Sequence, residues 1–150
     1  MTSSPAPTIS VDNAATVAAI YDAFGHGDVP AILERLADDV AWDQWSDNFA
    51  QRAGVAHLRG RHGRNDVAGF FGVIGAWTVL DFAVLDIIGT GRQVAAEVRA
   101  FFALPDGPRF ADEELHLWTF GEDGRVVRFR HYCDTAKHIA VSEGVDTTAI

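Results

Sequence analysis

The chain holds one cysteine, Cys133, in 150 residues. A single thiol excludes an internal disulfide and fits a reducing compartment, so the expected location is cytoplasmic. No apolar run approaches the roughly 20 residues that a membrane-spanning helix needs. The opening MTSSPAPTIS lacks a charged stretch followed by an apolar one; no secretion signal is expected, and residues 1–10 read as a disordered lead-in. Basic residues are scarce, 12 Lys and Arg against 21 Asp and Glu, for a formal charge of −9. Nucleic-acid binding draws on clustered cations through counterion release, so no nucleic-acid or anionic-membrane partner is expected. The one basic cluster, His57 to Arg64 (HLRGRHGR), reads as a solvated loop, with an anion-binding lip as the alternative. Also missing are a glycine-rich phosphate loop, a nucleophile elbow and any His/Cys/Asp/Glu cluster with metal-ligand spacing. The expectation is therefore no metal and no cofactor.

What is present is apolar and aromatic. Four Trp and ten Phe, in a chain 48% hydrophobic, suffice for one core and a lined cavity. Val17, Ile20, Tyr21 and Phe24 recur at helical spacing, predicting a helix from about Asp12 to Phe24 that Gly25 and Gly27 end. Asp28 caps a second helix, with Pro30 in its first turn and Ile32, Leu33 and Leu36 as its buried stripe. A short strand follows, Val40 to Trp45; Ser46 to Gly63 has no periodicity. Val67, Phe70, Phe71 and Ile74 mark a third helix. The second half is β-rich: Thr78 to Ile88, Val94 to Leu104, Phe110 to Phe120 and Arg125 to Cys133, separated by Gly- and Pro-containing turns. Helices first and an antiparallel meander afterwards predict an α+β fold in one domain, residues 11–141, with a tail over 142–150.

The last hairpin gives the sharpest functional reading. Val127, Phe129, His131 and Cys133 alternate with Arg128, Arg130 and Tyr132, so the first set faces inward. Closing the hairpin over Gly121-Glu122-Asp123-Gly124 opposes Trp118 to Val127, His116 to Phe129 and Glu114 to His131. Glu114, His116, Trp118, Phe129 and His131 then share the inner face. A carboxylate beside two imidazoles on an aromatic surface is equipment for general acid–base catalysis. A Glu–His hydrogen bond that merely braces the sheet is the structural alternative.

Four landmarks occur in order: "GHGD" ending the first helix, "LADDVAWD", "GRHGRNDVAGFF", and "LHLWTFGEDGRVVRFRHYCDT" on the last hairpin. With them the chain resembles the SnoaL-like and ketosteroid isomerase families of the nuclear transport factor 2-like superfamily. That resemblance implies a cone-shaped (cystatin-like) α+β barrel with three N-terminal helices on a curved, mostly antiparallel sheet. It further implies a homodimer through the open sheet face. Carried over position by position, the isomerase tyrosine falls on Ile20, its base aspartate on Gln44 and its second aspartate on His116, so the usual steroid isomerisation is not expected. The carry-over places Gln44, His116, Phe129, His131 and Cys133 in the pocket. SnoaL-like cyclases imply a cofactor-free pocket in which Glu114 or His131 takes a proton while His116 and Gln44 bind an enolate oxygen.

The catalytic candidates are therefore His116, Glu114 and His131. The substrate-binding candidates are Tyr21, Trp42, Gln44, Trp118, Phe129 and Cys133, and the expected partner is a hydrophobic, oxygenated small molecule. Asp43, between two tryptophans, is an alternative base. Glu97 and Arg99 match, in reversed order, a spacing seen in epoxide hydrolases of this fold, but an outer-face ion pair is favoured, with Phe82, Val84 and Asp86 on the same outer face. His26, His57 and His62 are expected in polar loops. A cyclase, isomerase or dehydratase, a non-catalytic binder and a dimerisation module all remain compatible with these residues.

Overall fold

The structure is a computed structural model that describes residues 12–148; the lead-in expected over residues 1–10 lies outside the described residues. Helix α1 (Asn13–Gly25) starts where the Asp12 side chain accepts from the Ala15 amide at 3.1 Å, and buries Val17 and Ile20. Helix α2 (Val29–Glu34) is capped in the same way by Asp28, with Pro30 in its first turn. Strand β1 (Leu36–Trp42) begins earlier and ends earlier than the pattern predicts. The segment without periodicity holds short elements: helix α3 (Phe49–Arg52), a 3-10 turn (Ala56–Leu58) and strand β2 (Arg61–His62). Helix α4 (Arg64–Ile74) buries Val67, Phe70 and Phe71. Strands β3 (Thr78–Ile88), β4 (Gln93–Ala103), β5 (Arg109–Phe120) and β6 (Val126–Tyr132) follow as expected. A further helix, α5 (Thr135–Ser142), has no counterpart in the sequence reading. The tail beyond it is not free, because Asp146 pairs with Arg109 and the Thr147 amide donates to the Arg109 carbonyl.

The six strands form one sheet in the order β2-β1-β6-β5-β4-β3, antiparallel except for the β1–β6 pair. The fold is thus α+β, with a curved sheet closing over α1, α2 and α4 as a cone. Strand β5 alternates strictly from Arg109 to His116, buried at Phe110, Asp112, Glu114 and His116 and exposed between them. That is the period of a half-buried strand.

The β5–β6 register differs from the expected one by two residues. Trp118 opposes Phe129 and His116 opposes His131, because the loop closes one residue later, on Phe120 and Val126, and a bulge beside Thr119 then absorbs Val127. A bulge bends its strand and curves the sheet. Since the total shift is even, Glu114, His116, Trp118, Phe129 and His131 stay inward, as a slip of one would not allow. At the bulge, Val126 takes the buried place expected of Val127.

The β3–β4 hairpin also carries bulges, at Leu80 and at Leu85. They turn Phe82 and Val84 onto the core and leave Leu85 exposed, the reverse of the expected assignment. Glu97 and Arg99 do lie on the outer face, but Arg99 pairs with Asp81 at 2.8 Å rather than with Glu97. The basic cluster is neither a free loop nor an anion lip. Arg61 is buried and, with Arg59, pairs with Asp66, while Arg64 donates to the Leu36 carbonyl and pairs with Asp38.

Candidate active site

A cavity of about 80 Å³ lies between the sheet and the helices, with Tyr21, Trp42, Trp118 and Phe129 among its walls. Roughly 300–1,000 Å³ is typical of ligand pockets, so this cup is closed down around a small volume. The titratable groups in its wall are Glu114, His116, His131, His57 and His138, together with the Tyr21 hydroxyl.

These groups form two hydrogen-bonded units. The longer runs through α1, β5, α5 and the 3-10 turn. Trp118 Nε1 donates to the Tyr21 hydroxyl at 3.1 Å, and that hydroxyl lies 2.6 Å from His116 Nδ1. His116 Nε2 lies 2.9 Å from Glu114 Oε1, and Glu114 Oε2 lies 3.1 Å from His138 Nε2. The same His138 nitrogen is 2.8 Å from Asp112 Oδ2, and His138 Nδ1 is 2.8 Å from His57 Nε2.

The proton positions follow from burial and charge. Burial holds the His116 pKa below its ordinary value, and burial raises that of Tyr21. His116 is therefore neutral: it accepts the Tyr21 proton at Nδ1 and donates from Nε2 to Glu114. Burial alone would raise Glu114, but hydrogen bonds from His116 and His138 overcome it and hold the carboxyl well below its usual range. Burial likewise works against a charged His138, yet the hydrogen bonds to Asp112, Cys133 and Glu114 push it up to about 11. His138 is an imidazolium between two carboxylates. Its neighbour His57 is driven the other way, down to about 3, by burial and then by the His138 charge.

The shorter unit is His131 with Asp43. One Asp43 oxygen accepts from the His131 amide at 2.7 Å and the other lies 2.6 Å from His131 Nδ1. Burial lowers the His131 pKa, but the charge and hydrogen bond of Asp43 outweigh it, and the net shift is upward. Asp43 has φ +50°, and no other described non-glycine residue has a positive φ. Its backbone is held there by Asp43 N donating to the Phe129 carbonyl at 2.8 Å and by Gln51 Nε2 donating to its own carbonyl at 2.6 Å. Asp tolerates this conformation better than most residues, and such strain gathers at functional positions.

That turn reverses two expectations. Asp43 points inward, and Gln44 lies exposed, donating to the Arg61 carbonyl and accepting from Arg130 through its own. Gln44 is thus no pocket residue. Cys133 also leaves the main cavity and lines an outer depression with Trp45, Leu115 and Tyr132. The tyrosine and carboxylate that the resemblance leaves unfilled at Ile20 and Gln44 are present one residue away, at Tyr21 and Asp43.

Asp112, His57 and His138 were not expected here. The period of β5 that places Glu114 and His116 inward extends to Asp112. Asp134, which caps α5 at the Lys137 amide, and Gly144 beyond its end mark a helix that brings His138 inward. His57 sits in the aperiodic segment and had no such signal; it is buried rather than solvated, unlike His26 and His62.

In space, though not in linear spacing, two groups among the described residues reach metal-ligand proximity: Glu114, His116 and His131, and Asp112, Cys133 and His138, each with donor atoms within 4.8 Å. In each, one nitrogen–oxygen pair already lies at hydrogen-bond distance, His116 with Glu114 at 2.9 Å and His138 with Asp112 at 2.8 Å.

The fold and its inward acid–base groups define a cone-shaped α+β cup with a titratable pocket. Residues 17–129 match the SnoaL-like domain model, and the chain belongs to that family. No curated protein matches the chain. Among solved structures, a protein of unknown function and nuclear transport factor 2-like fold from Burkholderia pseudomallei K96243 is 25% identical, with TM-score 0.72 over 91% of this chain and 98% of that one. TerC, co-crystallised with polyporic acid, is 20% identical, with TM-score 0.71 over 88% and 98%. A protein provisionally named a polyketide cyclase, from Xanthomonas campestris pv. campestris, is 22% identical, with TM-score 0.65 over 89% and 98%. Among the described residues, no helix is long and apolar enough to cross a membrane.

Proposed function

We propose that the cup is a cofactor-independent acid–base site of cyclase, isomerase or dehydratase type, acting on an apolar, oxygen-bearing small molecule. The observation that carries this reading is the His131–Asp43 pair. Asp43 occupies Nδ1, while Nε2 has no hydrogen-bond partner among the described residues and the ring lines the cavity. Both nitrogens of His116 and both oxygens of Glu114 are engaged, so these two act as supports of the pocket rather than as the proton acceptor.

In this reading, His131 Nε2 removes a proton from carbon next to a carbonyl, and the electron pair moves onto the carbonyl oxygen as an enolate. Asp43 stabilises the imidazolium so formed. Trp42 supplies an uncommitted donor: its Nε1 is buried without a partner among the described residues, and it shares Phe70 and Phe129 as ring neighbours with His131. From the enolate, the imidazolium returns its proton to another carbon, or protonates a departing hydroxyl, or the enolate carbon attacks a second carbonyl. These are isomerisation, dehydration and cyclisation.

A test that needs no known substrate is deuterium exchange. Small apolar ketones in D2O, followed by NMR, should exchange their α-protons faster with the protein, and His131→Gln should abolish the acceleration. No acceleration with any ketone, or acceleration indifferent to His131→Gln, sinks the proposal in favour of a non-catalytic binder.

A further inference from the structure

His57 is buried, lines the cavity, and belongs to the unit that the proposed chemistry leaves unused. Its partner is fixed by what surrounds it. His138 Nε2 faces two carboxylates, Asp112 at 2.8 Å and Glu114 at 3.1 Å, and a carboxylate only accepts. Two buried carboxylates against one ring are compensated when that ring is the imidazolium, since uncompensated buried charge is strongly unfavourable. An imidazolium donates from both nitrogens, so its Nδ1–H points at His57 Nε2, 2.8 Å away. His57 must accept there, and as a neutral ring it carries its own proton on Nδ1. No described residue accepts that proton.

His57 also sits apart from the proposed base. Its aromatic neighbours are Trp77, Phe110 and His138, whereas those of His131 are Phe70, His116 and Phe129. We infer that His57 Nδ1–H is a second hydrogen-bond point for the ligand, so that the site selects an apolar molecule with an oxygen acceptor remote from the group presented to His131. This rests on the pocket reading of the preceding section. It assigns His57 to specificity, with no part in proton transfer.

Long-range proton–nitrogen NMR of the histidine side chains tests the tautomer first. His57 should show a protonated Nδ1 and a lone-pair Nε2 at neutral pH; the opposite tautomer overturns the inference, whatever His131 does. Ligand selection is read with three probes: 4-hydroxyacetophenone, with oxygens at both ends of a ring, 4-methylacetophenone, with one, and 4-ethyltoluene, with none. The first should bind about threefold to tenfold tighter than the second, the range expected for one net hydrogen bond. His57→Phe should erase that difference and leave the gap between the second and third intact, while His57→Gln, which keeps an N–H, should retain part of it. Equal binding of the first two probes to the native protein, or a difference that survives His57→Phe, overturns it. Loss of ketone exchange in His131→Gln would leave all these readings unchanged, so the two proposals fail separately.

Discussion

The cup contains two histidine–carboxylate units built from the same residue types and satisfied to different degrees. In the Tyr21–His116–Glu114–His138–His57 unit nearly every polar atom has a partner, through contacts of 2.6 to 3.1 Å. In the Asp43–His131 unit, one bond of 2.7 Å to the His131 backbone amide and one of 2.6 Å to Nδ1 fix the residue and leave its other ring nitrogen uncommitted. A satisfied network makes the inner face rigid. An unsatisfied nitrogen held in a fixed direction is what proton transfer requires. Under the proposed function, the contrast teaches that residue type on an inner face does not mark the reactive group; the unfilled valence does.

The strongest way to break this contrast is to remove the two imidazoles separately. His131→Gln should lower the proton-exchange rate by about 10²- to 10⁴-fold with little change in unfolding midpoint. His138→Leu should do the opposite. It strands Asp112 and Glu114 and should destabilise the protein by roughly 3–5 kcal/mol in denaturant titration, the range seen when one partner of a buried pair is removed. A His131 variant that unfolds, or a His138 variant as stable as the parent, would merge the two units into one.

Their pH dependences sharpen the same contrast. The His138 pKa is raised in the folded state to about 11. Its stabilisation is complete below the ordinary histidine value of about 6.5 and is lost as pH rises towards the folded value. Thermal midpoints of the native protein should therefore fall across that window more steeply than those of His138→Leu. His131 is likewise raised, so exchange by the neutral base should grow as pH climbs through a value above 6.5. Asp43→Asn keeps the backbone geometry and removes the charge; it should move that limb to lower pH and reduce the plateau by about tenfold, a weaker base being a poorer one.

Two smaller effects complete the series. Tyr21→Phe leaves Trp118 Nε1 and His116 Nδ1 unpartnered and should lose about 1–3 kcal/mol of stability. Gln44→Ala, at an exposed position, should change stability by less than about 0.5 kcal/mol and leave exchange untouched.

The sequence made the fold legible because each main element announces itself locally. Helix stripes at Val17 and Val67, the cap at Asp28, and alternation along β5 and β6 all belong to one element at a time. The inner placement of Glu114, His116 and His131 was legible for the same reason, and it survived a two-residue register error because strand faces depend only on parity. The pairing of Asp43 with His131 was not legible. Alternation carried past Trp42 puts Gln44 inside, and only a positive φ after the end of β1 brings Asp43 inward instead. His57 and His138 were hidden by distance: they meet through a 3-10 turn and a terminal helix separated by 81 positions. Linear spacing cannot report such a meeting.

The left-handed turn at Asp43 sets a limit on how this protein can diverge. A position with φ +50° admits Gly, Asn and Asp readily and most other residues with strain. Of those three, only Asp carries the charge that holds His131. Mutational drift at residue 43 therefore has two low-strain exits, Gly and Asn, and each keeps the loop while extinguishing the charge. If the proposed function holds, a descendant of this chain that had turned from catalysis to plain binding would be recognised first at that codon.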